Sequence, residues 1–177
     1  MAGAQQMGII PTEVITAAQV TASGTKFRPG TASGYDHPTL GYQEFIWMKA
    51  AATITAIGSL CVEQTGWIMQ MIDTTIVAAG GLGGPGSRCG AAQAALAIGD
   101  YGWFQIYGRG SLATSAAAAK GTKLYASATA GAVSTTAGTS TSVEGLTLLT
   151  ATGGAVTGAD AAFSYPHTGL ISGATLF

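Results

Sequence analysis

Two histidines, two cysteines and eight carboxylates are the scarce groups on which acid–base or metal chemistry in this 177-residue chain would have to rest. A hydrolase triad needs a histidine oriented by a carboxylate and facing a nucleophile. His37 stands in Asp36-His37-Pro38 and His167 in Pro166-His167-Thr168, both turn-like, and an aspartate directly before a histidine does not normally aim at its ring. No Gly-x-Ser-x-Gly elbow occurs. Cys61 and Cys89 make no Cys-x-x-Cys pair and the histidines no His-x-x-x-His pair, so metal-site spacing is missing. Free buried thiols are the expectation for the cysteines. The carboxylates Glu13, Asp36, Glu44, Glu63, Asp73, Asp100, Glu144 and Asp160 are dispersed, and only the fold would bring two of them together. The reading is a protein that is not an enzyme and takes neither cofactor nor metal.

One glycine cluster imitates a cofactor motif. Gly81-Leu82-Gly83-Gly84-Pro85-Gly86 fits Gly-x-Gly-x-x-Gly after the strand-like 75–79. Asp100 stands at about the right distance, but it precedes a strand where the ribose-binding acid should end one, and no helix–strand alternation follows. The Gly80–Gly86 stretch reads as a loop.

Composition narrows the class further. Alanine, glycine, threonine and serine fill more than half the chain, and charged residues are 8% against about 25% in an average soluble domain. The net charge is −1, and the seven basic residues are scattered, which argues against the basic stripe that nucleic-acid binding needs. The longest apolar stretch, Ala50 to Val62, is interrupted by Thr53, Thr55, Gly58 and Ser59 and falls short of the roughly 20 residues of a membrane helix. The N-terminus has neither the charged nor the apolar region of a signal peptide. With 47% hydrophobic residues the chain is not a disordered one. So few charges suggest a folded surface largely covered by partners in an assembly.

The elements follow from patterning. Residues 1–41 carry a doubled Thr-Ala-Ser-Gly and three prolines, and read as an extended N-terminal arm with one short strand at Glu13–Thr21. Residues 42–177 read as a β-rich domain. Gln43–Lys49 and Tyr101–Tyr107 alternate with period two; shorter strands are expected at 53–57, 60–64, 67–72, 74–79, 90–98, 124–126, 132–134, 143–149, 161–165 and 170–176. One helical turn is expected at Ser115–Lys120. Such spacing, with glycine turns and abundant threonine, indicates an all-β fold, a small barrel or sandwich of short strands with an extended N-terminal arm. Gln43–Lys49 and Tyr101–Tyr107 both carry large side chains on both faces, and a single-layer barrel buries one, so the other face suggests a subunit interface.

Phe45-Ile46-Trp47-Met48-Lys49-Ala50, Ala97-Ile98-Gly99-Asp100-Tyr101-Gly102-Trp103-Phe104-Gln105 and Gly121-Thr122-Lys123-Leu124-Tyr125 resemble segments of small virion proteins of tailed bacteriophages. The likeness spans residues 42–165. It implies a capsid decoration or cement protein that binds the outer surface of the head as a homotrimer, bridging major capsid protein subunits, with no nucleic-acid or membrane partner. The expected subunit or capsid interface comprises Phe27, Arg28, Tyr35, Phe45, Trp47, Trp103 and Tyr107. The arm would reach across neighbouring capsomers, and removing residues 1–38 should leave a folded domain. The alternative is a head or tail fibre-like adhesin that binds host glycans through exposed aromatics such as Trp67 or Trp103.

Overall fold

Alternating large apolar side chains lay down the two central strands. In β3 (Gly41–Ala50), Ile46, Met48 and Ala50 project to one side, Phe45 and Trp47 to the other; in β7 (Tyr101–Thr114), Phe104 and Ile106 oppose Trp103. The strands pair antiparallel with Trp47 opposite Trp103 and Ile46 opposite Phe104. A computed structural model describes residues 9–78, 83–137 and 141–171. Within them the remaining elements are β1 (Val14–Ile15), α1 (Ala17–Ser23), β2 (Ala32–His37), β4 (Leu60–Gln64), β5 (Ile68–Met71), β6 (Cys89–Ala92), β8 (Leu124–Ala126), β9 (Val133–Ser134), β10 (Thr141–Leu148) and β11 (Val156–Ile171). The fold is all-β, with 11 strands among the described residues in one mixed sheet, and no helix among those residues is long and apolar enough to cross a membrane.

The strand pairings close on themselves twice. β3, β5, β4, β6 and β7 form one barrel-like circuit, with β3–β5 its parallel ladder. β7, β11, β10, β8 and β9 form the second, with β7–β9 its parallel contact. β7 serves both because it is 14 residues long: Tyr101–Tyr107 ladders with β3, and Tyr107–Thr114 with β11. Ile46, Met48, Cys61, Met69, Phe104 and Ile106 fill the first circuit. Leu112, Leu124, Val143, Leu148 and Phe163 fill the second, joined by Leu60 and Val62 from the opposite face of β4. Burial on both faces explains why β4 opens on three consecutive apolar residues, Leu60, Cys61 and Val62, rather than alternating.

The outer face of β3 and β7 is covered by the chain's own N-terminal segment. Ile9 is buried against Phe45, Trp47 and Trp103. Phe27 inserts beside them, its ring 5.4 Å from that of Trp47 and 5.1 Å from that of Trp103. β1 adds to β7 and β2 to β3. From residue 9 onward, therefore, the segment lies along the domain and contributes to its packing. The apolar face that suggested a subunit interface is satisfied within the chain.

Several expected elements differ. The strand expected at 13–21 is two residues of β1 followed by a helix, because Thr16 and Gln19 form a reciprocal capping box and Gly24 closes the C-terminus. The Asp100 carboxylate receives the N–H groups of both Ala17 and Ala97, fixing the helix to the turn before β7. Residues 53–57 make only the Ile54–Leu96 bridge, and 74–78 form a turn whose N–H groups at Thr75 and Ile76 bind the Asp73 carboxylate. The helical turn expected at 115–120 is instead an extended contact between Ala118 and Thr152. Residues 170 and 171 end β11, while 172–176, the last residue of the strand expected at 74–79, and residues 80–82 of the glycine-rich loop lie outside the described residues.

Candidate functional site

The seven expected interface residues divide by exposure. Phe45, Trp47 and Trp103 are at most 1% exposed, which corrects their assignment as contact residues: under the N-terminal segment they have no surface to offer. Phe27 and Tyr35 are half-buried against that cluster, Tyr35 with its ring 6.4 Å from that of Phe45. Arg28 and Tyr107 are exposed. His37 Nδ1 accepts the N–H groups of Thr39 and Leu40 in the turn after β2, whereas His167 does not sit in the turn expected for it: it lies within β11, opposite Glu144. Among the described residues no three of His, Cys, Asp and Glu gather as a metal-binding group.

Exposed side chains do converge where β7 passes from the first circuit to the second. Tyr107 lies opposite Glu44 of β3 on one side and Ser164 of β11 on the other. The β3–β7 register slips between Glu44 and Phe45, and Gly108 follows with φ 91°, where a Cβ would overlap the Tyr42 carbonyl. The buried Gln43 and Gln105 amides both donate to the Arg109 carbonyl, holding this bend. Across β11, Ser164–Pro166 bulge opposite Gly145, and Tyr165 takes φ 51°, rare for a side chain of its size. A bulge re-aims side chains. Here it brings the Tyr165 hydroxyl to Glu44.

The resulting geometry is a row of three rings over one carboxylate. Tyr42 donates to Glu44 Oε1 at 3.0 Å and Tyr165 to Oε2 at 2.8 Å. Ring centroids are 6.3 Å apart for Tyr42–Tyr107 and 5.4 Å for Tyr107–Tyr165. The three tyrosines are 46%, 38% and 52% exposed in chain order. Hydrogen bonding to the Glu44 anion holds the Tyr42 and Tyr165 phenols above the ordinary tyrosine range, with some desolvation added. The ion pairs among the described residues are Lys26–Glu13, Arg88–Glu63, Arg109–Asp160 and Lys123–Glu144, none of them to Glu44. Period-two patterning places Tyr42 and Glu44 on one face, a signal present in the sequence; Tyr165 reaches them only through its bulge.

Trp67 forms a second exposed feature in the β4–β5 turn. It takes φ 62° and is 45% exposed. Its ring rests on Gly30, where a Cβ would stand 2.7 Å from the indole, and the Arg88 guanidinium lies 5.9 Å from the ring centroid. An open hollow of about 430 Å³ lies on one side, lined by Glu63, Gln64, Trp67, Ser87 and Arg88 among others. Arg28 lines a smaller hollow with Trp67 on the other. No family model, curated protein or solved structure matches the chain.

Proposed function

We propose that this chain is a non-enzymatic structural protein of a tailed-bacteriophage virion, docking on the outer surface of the head and stabilising it by bridging major capsid protein subunits. The observation that carries the reading is the exposed tyrosine row on a domain with only 8% charged residues. Tyrosines supply rigid contact area and are enriched where proteins meet, whereas charges are depleted at interface cores. A homotrimer would present three such rows at once. Many weak contacts on a closed lattice then add through effective concentration.

Co-sedimentation with purified heads, quantified by mass spectrometry against the major capsid protein, tests this. Hundreds of copies per particle, approaching one per shell subunit, are expected. A dozen copies, or none, overturns the reading. The exposed Trp67 beside two arginines favours one other reading, an adhesin stacking a host glycan on the indole. That reading requires glycan binding that disappears in Trp67→Ala with the fold intact.

A further inference from the structure

We propose that Tyr42, Tyr107, Tyr165 and Glu44 form a receptor for a guanidinium group, presented by an arginine on the surface of a partner protein. The inference stands apart from the head-decoration reading, since it concerns what the site binds and not where the protein resides.

Charge supports it first. The side-chain partners of Glu44 are two neutral phenols, and no cation among the described residues pairs with it. Each carboxylate oxygen has two lone pairs and accepts one hydroxyl, so each keeps an acceptor position for an incoming donor. The forked N–H groups of a guanidinium match two such positions on one carboxylate.

The rings supply the second part. An aromatic face attracts a cation, and a planar guanidinium also stacks on it. Tyr107 and Tyr165 lie 5.4 Å apart with their planes inclined by 33°, next to the carboxylate that Tyr165 binds. An arginine head laid along this row meets ring surface and anion together. A lysine ammonium is rounder and more strongly hydrated, and gains neither the stacking nor the fork.

The backbone is the third. Tyr165 is a bulky residue at φ 51° in a bulged strand, and residues held in such sparsely populated conformations cluster at binding sites. Its hydrogen bond to Glu44 is what the strained conformation achieves.

The test is an NMR titration of the full chain with three blocked tripeptides, acetyl-Gly-X-Gly-amide, in which X is arginine, citrulline or lysine. The arginine peptide should shift the ring resonances of Tyr107 and Tyr165 saturably. Citrulline, isosteric but uncharged, should bind about tenfold or more weakly, and Glu44→Gln should weaken the arginine peptide about equally. Tyr107→Leu should do the same while leaving the remaining spectrum in place. The proposal is overturned by citrulline or lysine binding as tightly as arginine, by unchanged affinity in Glu44→Gln, or by no response at about 100 mM peptide, beyond the millimolar range of weak complexes.

Discussion

The Tyr165 hydroxyl meets Glu44 Oε2 at 2.8 Å, across 121 residues of sequence. Glu44 is on β3, which belongs to the first strand circuit, and Tyr165 is on β11, which belongs to the second. β7 runs between them and Tyr107 lies beneath the contact. The bond therefore clasps the two circuits over their shared strand, and the exposed ring row is a consequence of how the circuits are joined.

This contact has a signature in alkaline titration. Glu44 accepts from the neutral phenols of Tyr42 and Tyr165, so both should ionise above the ordinary tyrosine value of about 10. Because the folded state holds these protons more tightly than the unfolded chain, their contribution to stability is complete below pH about 10 and is lost as pH rises through the raised values. Tyrosinate absorbance should show two residues titrating late in the native protein and returning to earlier ionisation in Glu44→Gln. Superimposable curves for the two proteins would refute the clasp.

The N-terminal segment gives a second prediction, opposite to the one its composition suggests. Removing residues 1–38 strips Ile9, Phe27 and β2 from a face made of Phe45, Trp47 and Trp103. The truncated chain should aggregate or unfold non-cooperatively. In the full chain, Trp47→Ala should cost about 3–5 kcal/mol, and Phe27→Ala, half-buried, about 2 kcal/mol. Denaturant unfolding measures both. A truncated protein with an unchanged midpoint would show that the segment is merely laid on the surface.

What the sequence makes legible here is periodicity, and what it hides is coverage. Period two in Gln43–Lys49 and Tyr101–Tyr107 locates β3 and β7, and their large residues on both faces are plain to read. Which chain covers the second face is a tertiary fact, decided by single residues such as Ile9 and Phe27 in a segment otherwise poor in large apolar groups. β2 escapes notice for the same reason: Ala32–His37 contains little that marks a strand until β3 offers it a ladder. Tyr42 and Glu44 share a face by spacing alone. Tyr165 joins them through a bulge and a positive φ that no pattern of residue types announces.

Gly108 should tolerate no side chain. Its φ of 91° lies where a Cβ is strained, and the new methyl would overlap the Tyr42 carbonyl. Gly108→Ala should cost roughly 2–3 kcal/mol, combining strain with displacement of β3, and should also disturb the ring contact between Tyr42 and Tyr107. Unfolding midpoints and tyrosine ring resonances give the two readouts. A loss of stability with the ring contacts intact would place the strain elsewhere in β7.

The cysteines offer a probe of the double circuit itself. Cys61 and Cys89 are free and buried on neighbouring strands, but Cys61 lies opposite Gly90 and Cys89 opposite Val62. Their side chains enter different cores, Cys61 that of the first circuit and Cys89 that of the second. They are thus adjacent without being positioned to bridge. Burial pushes both thiols well above their ordinary value, so the reactive thiolate is scarce at neutral pH. A thiol reagent should find no reactive group in the native protein and both groups in denaturant. Under intermediate conditions the two should react together, since β4 and β6 line both cores and neither circuit opens without disturbing the other. Reaction of Cys89 well before Cys61 would show that the second circuit opens alone, and that β7 is a hinge between separable units rather than a shared wall.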